Sequence, residues 1–155
     1  MRFETKEDVE APIDHVFAQL SDFAGFERSA MRRGADVTRL DTLDTPGVGM
    51  KWRISFKLRG KKRKIDLELT EFDAPNQMVF AGTSPNLSLN GVVELVALSK
   101  NRTRMAMSVE LQPKTLSARL FVQSMKLAKG KMEKRLKVRV SDFAKDMEEG
   151  YKATV

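Results

Sequence analysis

The hydrophobic period changes at Pro113, and that change limits the folds open to this chain. From Val37 to Gln112 apolar residues alternate with polar ones, the period of a strand with one buried face. After Pro113 they step by three or four, through Phe121, Met125, Ala128, Met132, Leu136, Val140, Phe143 and Met147. That is the stripe of an amphipathic helix. Turn residues cut the alternating region at Thr45-Pro46-Gly47, Gly60, Ala74-Pro75-Asn76, Ser84-Pro85-Asn86 and Ser99-Lys100-Asn101. About six strands result, spaced for consecutive antiparallel hairpins, with no room for the helices that parallel strands require.

The segment from Phe3 to Glu10 reads as one more strand. Pro12 sits where the first turn of a helix accepts it, and Val16, Phe17 and Leu20 follow at helical spacing. Ser21 or Asp22 can cap a second short helix carrying Phe23 and Phe26, with Gly34 ending it. Thr115 or Ser117 can cap the last helix, which is expected to run to about Tyr151, roughly 50 Å at 1.5 Å per residue. Gly130 interrupts it and marks either a bend or a close approach of backbone. With no repeat, linker or low-complexity tract, residues 1–155 read as one domain. The fold class is α+β: a seven-stranded antiparallel sheet, two short helices between strands 1 and 2, and one long C-terminal helix.

One hairpin can be registered from the residues alone. With Gly60-Lys61 as a two-residue loop, Phe56 faces Ile65, Ile54 faces Leu67 and Trp52 faces Leu69 on one side. On the other, Ser55 faces Asp66, Arg53 faces Glu68 and Lys51 faces Thr70. A change of one residue in loop length would set apolar residues against charged ones.

Charge is unevenly spread. The net charge is +7, yet residues 51–64 hold eight Lys or Arg and no acid, and residues 126–139 hold seven against Glu133 alone. Elsewhere acids outnumber bases. Two basic elements on an acidic body imply an anionic partner. The absence of cysteine excludes a thiolate metal site and a cysteine nucleophile. Met1 to Asp8 carries charges where a signal peptide needs an apolar run, and no stretch approaches the ~20 apolar residues of a membrane span. A cytoplasmic location is the expectation.

Several local sequences resemble the START-like, or SRPBCC, superfamily, which includes polyketide cyclase/dehydrase-type proteins and birch-pollen allergens. Ala11-Pro12-Ile13-Asp14-His15-Val16-Phe17-Ala18-Gln19-Leu20-Ser21-Asp22 resembles the family's opening. Gly47-Val48-Gly49-Met50-Lys51-Trp52-Arg53 resembles its entry to the third strand. Thr103-Arg104-Met105 with Pro113-Lys114 resembles its last strand and the turn into the final helix. The resemblance implies a helix-grip fold, in which a curved sheet wraps the C-terminal helix around a cavity. It also implies a mouth ringed by Arg59 to Lys64, Ser84 to Gly91 and Gln112 to Thr115.

The expected cavity residues are Trp52, Ile54, Phe56, Ile65, Leu67, Leu69, Met78, Phe80, Leu89, Val93, Met105, Met107, Phe121, Met125 and Met132. Nine methionines favour an adaptable interior, because thioethers repack around varied shapes. Arg139 falls within the apolar stripe on a helical wheel. It pairs with Asp142 or Asp146, reaches solvent, or meets a ligand's acid group in the cavity. Arg59, Lys61, Lys62, Arg63, Lys64 and Lys114 are expected at the mouth. His15, the only histidine, has no triad spacing and reads as a surface or helix-packing residue.

No catalytic residue, metal site or cofactor is expected. The run Lys61-Lys62-Arg63-Lys64 has no interleaved aromatics for base stacking, so nucleic acid is not an expected partner. The reading is a carrier or sensor for a hydrophobic, anionic, lipid-like small molecule. The alternatives are an aromatase/cyclase-like enzyme, and a peripheral protein that docks an anionic membrane surface or a partner through its basic elements.

Overall fold

A computed structural model describes residues 1–155. The chain runs β1 (Arg2–Val9), α1 (Ile13–Leu20), α2 (Phe23–Arg32), β2 (Asp36–Arg39), β3 (Lys51–Leu58), β4 (Lys61–Asp73), β5 (Gln77–Thr83), β6 (Leu87–Ser99), β7 (Arg102–Pro113), α3 (Leu116–Lys126) and α4 (Lys129–Thr154). The seven strands form one antiparallel sheet in the order β1-β7-β6-β5-β4-β3-β2. This is the expected helix-grip architecture, with β1 closing against β7 and the two short helices following β1. Asp22 caps α2 by accepting from the Gly25 N–H at 3.1 Å, and Thr115 Oγ1 caps α3 by accepting from Ala118 at 3.2 Å.

The β3–β4 hairpin corrects the expected register. Its loop is Arg59-Gly60, not Gly60-Lys61, so Ile54 pairs with Ile65, Trp52 with Leu67 and Phe56 with Arg63. Moving a two-residue loop by one position leaves every side chain on its own face, so in/out alternation cannot tell the two registers apart, although the observed one sets Phe56 opposite Arg63. The charged face can. The observed register sets Arg53 opposite Asp66, with bonds of 2.9 and 3.0 Å, and Lys51 opposite Glu68. The expected one would have paired Arg53 with Glu68 but left Lys51 facing a threonine. Both loop residues have positive φ, 52° at Arg59 and 76° at Gly60, as a type I′ turn demands.

The C-terminal helix is also corrected. It is two helices, broken at Leu127 and Ala128. The Ala128 N–H donates to the Met125 carbonyl at 2.9 Å, which tightens the last turn of α3. Gly130 stands in the first turn of α4, and a Cβ there would meet nothing within 4 Å. The glycine therefore accompanies a bend and no close approach. The bend lets α3 rest on β7 while α4 lies over β1 and α1.

The interior divides accordingly. A larger core joins α1, α2 and the C-terminal half of α4 to the sheet, with Val9, Leu69, Met105, Thr103 and Val16 fully buried. A smaller one gathers Phe3, Leu111 and Met125 beneath α3, with Leu89, Phe121 and Met132 packed on it. Leu136 touches both. His15 fastens α1 to α4: its Nε2 donates to the Met147 carbonyl at 3.0 Å, and its ring lies 5.3 Å from that of Tyr151.

Candidate ligand pocket

The concave face of β3–β7 is not fully covered by the helices. Between it and α2 lies a cavity of about 340 Å³ lined by Leu20, Phe23, Phe26, Glu27, Ala30, Val37, Trp52, Ile54, Leu67, Met78, Phe80, Val93 and Met107. Twelve of these thirteen are apolar. Aromatic rings build one wall: Phe23 lies 5.5 Å from Trp52 and 6.3 Å from Phe80, centroid to centroid, and Phe26 stacks on Phe143 of α4 at 5.5 Å. Such tilted and edge-on pairs hold the wall in a fixed shape. Glu27 is the single charged residue of the lining.

Of the residues expected in the cavity, the structure brings seven together here: Trp52, Ile54, Leu67, Met78, Phe80, Val93 and Met107. Leu69 and Met105 are fully buried in solid core. Leu89, Met125 and Met132 belong to the smaller core under α3. Phe56, Ile65 and Phe121 line a separate groove at the sheet's basic end. Arg139 is exposed on α4, the solvent-facing one of its three expected placements, and lines neither this cavity nor the basic groove. The contribution of α2 was missed, although Phe23, Phe26, Glu27 and Ala30 lie three or four residues apart and so share one helical face.

The basic groove, about 610 Å³, is walled by the β3–β4 tip, the β5–β6 turn and the start of α3. It collects Lys61, Lys62, Arg63 and Lys64 and contains no acid. Arg59 and Arg63 set their guanidinium carbons 5.0 and 4.9 Å from the centre of the Phe121 ring. Arg59 also donates to Ser124 Oγ at 3.1 Å, and the Arg63 Nε is buried with no partner. Lys114 is tied back to the β5–β6 turn, donating to Thr83 Oγ1 at 2.9 Å and to the Ser84 carbonyl at 3.1 Å. A third cleft lies between pocket and groove. It shares Ala30 and Ile54 with the first and Phe56 and Lys62 with the second, and adds Arg33, Lys57 and Asp36.

One polar cluster braces the pocket. Asp41 accepts from Arg39 at 2.6 and 2.9 Å and from the N–H groups of Lys51 and Leu43 at 2.7 and 3.0 Å. The Arg39 guanidinium in turn lies 5.8 Å from the Trp52 ring centre. The hydrogen bonds from Arg39, helped by those two N–H groups, hold the Asp41 carboxyl well below the usual carboxylate range. Its stabilising contribution is therefore complete above the unfolded value of about 3.9 and fades as pH falls towards the folded one. Asp41→Asn is expected to cost about 2 kcal/mol at pH 7. Urea unfolding of parent and variant should show that gap narrowing at pH 3. A gap independent of pH would mean that the charge of Asp41 contributes nothing.

No group of three or more His, Asp or Glu side chains is placed to hold a metal ion, and no helix is long and apolar enough to cross a membrane. A family profile described as polyketide cyclase/dehydrase and lipid transport matches residues 1–148. A search of curated proteins found no match. Among solved structures, a protein from Thermus thermophilus is 17% identical, covers 99% of both chains and superposes with a TM-score of 0.65. The ZhuI aromatase/cyclase of Streptomyces sp. R1128 is 15% identical over 91% of this chain and 98% of its own, with a TM-score of 0.61. A START superfamily protein of Mycobacterium smegmatis is 12% identical over 86% and 95%, with a TM-score of 0.56. At these identities the structural likeness speaks for the fold alone.

Proposed function

Because the chain belongs to the polyketide cyclase/dehydrase and lipid-transport family, we propose that it is a carrier or sensor holding a hydrophobic, anionic small molecule in the α2–sheet pocket. The observation that carries this reading is the lining, apolar at twelve of thirteen positions around about 340 Å³. At about 30 Å³ for each water-sized group, that space takes roughly a dozen non-hydrogen atoms. A short fatty chain or a fused ring pair fits; a diacyl lipid does not. Ten methylenes moved out of water would gain about 8 kcal/mol before the costs of association, which points to micromolar or weaker binding from the tail alone.

The position of the acid group follows from charge. Glu27 inside the pocket repels a carboxylate, so the anionic end lies outside, in the adjoining cleft. There Arg33, Lys57 and Lys62 outnumber Asp36. An anion at that exposed place gains from the field without being desolvated.

Native mass spectrometry of freshly purified protein, with extraction under denaturing conditions, would identify a retained ligand. Titration with a fluorescent medium-chain fatty acid and with its alcohol then tests the chemistry. The acid should bind better, with the preference shrinking at high salt and in a Lys57→Ser/Lys62→Ser variant. Val93→Phe, which fills the pocket from its sheet wall, should weaken both ligands at least tenfold. Undiminished binding by the Val93→Phe variant would place the ligand elsewhere. A ligand returned chemically altered would instead support the aromatase/cyclase-like alternative, for which Glu27 is the only carboxyl lining the pocket.

A further inference from the structure

Helix α3 carries apolar residues on two sides. Ala118, Val122 and Met125 are buried beneath it. Leu116, Leu120 and Leu127 point the other way, 74, 61 and 92% exposed. At 3.6 residues per turn these three fall within about 40° of one another, so they form one ridge. Leu116 and Leu127 are, with the terminal Val155 at 89%, the barest large apolar side chains of the chain, while Leu120 is as exposed as the isolated Val48 and Val138. Three such leucines side by side are unlike the scattered single exposures of an ordinary surface.

The ridge is set in positive charge. No acid occurs from Leu111 to Met132, where Lys114, Arg119, Lys126, Lys129 and Lys131 stand. None occurs from Lys51 to Ile65 either. The structure joins the two stretches, through Arg59 to Ser124 and through both Arg59 and Arg63 to Phe121. By the helical repeat, Ser124 and Phe121 flank the leucines on one side, and Arg119 and Lys126 flank them on the other. Leu58 adds a further exposed apolar residue at the hairpin tip.

We infer that this face, made of α3 and the β3–β4 tip, docks on an anionic lipid bilayer, with the leucines at the boundary between headgroups and acyl chains and the cations among the phosphates. An apolar ridge between two cationic flanks is what such a surface selects. A second copy of the chain would bring the same cations against each other. Nucleic acid would use the cations and leave the leucines in water. The surface lies outside the α2–sheet pocket, and the inference does not rest on the pocket's having a ligand.

Vesicle sedimentation tests it, with phosphatidylcholine alone and with added phosphatidylserine, at low and high salt. The parent should pellet only with phosphatidylserine, and less at high salt. Each cation near such a surface contributes about fivefold in partitioning, so a Lys61→Ser/Lys62→Ser/Lys64→Ser variant should lose roughly a hundredfold. Leu120→Gln/Leu127→Gln, which keeps both charge and helix propensity, should lose about tenfold while melting like the parent. Val93→Phe should bind vesicles as the parent does. Absence of phosphatidylserine-dependent pelleting would overturn the proposal. So would a leucine variant that pellets undiminished, since the patch would then be a plain polycation. Self-association that the leucine variant abolishes would assign the ridge to a second copy instead.

Discussion

Met147→Asp is expected to leave the domain unfolded, or nearly so, at 25 °C. Met147 is 1% exposed on α4, in the larger core, and its carbonyl accepts the His15 bond that fastens α1. A carboxylate there would lose its water and find no cation in the apolar cluster around it. Substitutions that bury an unpaired charge reach about 4–5 kcal/mol or more, roughly the whole stability of a marginal domain. Val138→Asp, on an exposed position of the same helix, should change stability by about 0.5 kcal/mol or less. Circular dichroism and urea titration of the pair separate burial from any general intolerance of aspartate in α4. A Met147→Asp variant that melted within a few degrees of the parent would show that the helix does not seat there. Met132, half-buried in the smaller core, is a milder position for the same test.

The parts of the fold legible in the sequence are those set by local pattern. Alternation and turn residues placed every strand from β2 to β7, because a strand with one wet face must repeat every two residues. Gly130 signalled a bend, but not that the helix splits at Leu127 and Ala128, since Met125 on α3 and Val140 on α4 both face inward and the apolar stripe continues across the break. A periodic pattern reports which way residues point and is silent on whether the axis bends between them. The hairpin loop was misplaced for a related reason. Parity along β3 and β4 survives a one-residue slide of the turn, while the apolar pair at Phe56 favours one register and the acid opposite Lys51 the other.

The sheet wall of the cavity was legible in the sequence and its helix wall was not. Inward-facing strand residues such as Trp52, Phe80 and Met107 could be named, because facing inward is a matter of period. Whether an inward residue meets a neighbour or a gap depends on how far each helix reaches. Leu69 and Met105 meet neighbours; Val93 and Met107 meet the gap left by α2. For Arg139 the width of the stripe chose among the three expected placements. It lies about 60° round the helix from Leu136, just past the arc that α4 presses on β1. The wheel gave its direction, and the margin of contact decided its exposure.

Trp52→Ala should separate the two roles of the pocket wall. The indole is 5% exposed, packs on Phe23 and Phe80, lies beneath the Arg39 guanidinium and lines the cavity. Its removal is expected to cost about 3–5 kcal/mol, which in a chain of this length lowers Tm by about 10 °C. Phe17→Ala serves as the comparison. Phe17 is 6% exposed and stacks on Phe72 at 5.2 Å, but it does not line the pocket. It should lose a similar amount of stability. The two variants should part when ligand is added. With Trp52 gone, the same apolar walls enclose a larger space, so a bulkier hydrophobic acid should bind the Trp52→Ala protein more tightly than it binds the parent. Ligand at about a hundred times its Kd stabilises by about 2.7 kcal/mol, enough to return much of the lost Tm. Phe17→Ala should recover no more than the parent gains from the same ligand, because its cavity lies away from the pocket. Thermal melts with a short and a long fluorescent fatty acid would show the pattern directly. If the long acid raised the Tm of Trp52→Ala no more than that of Phe17→Ala, Trp52 would be a core residue only, and the ligand pocket would have to be sought away from β3.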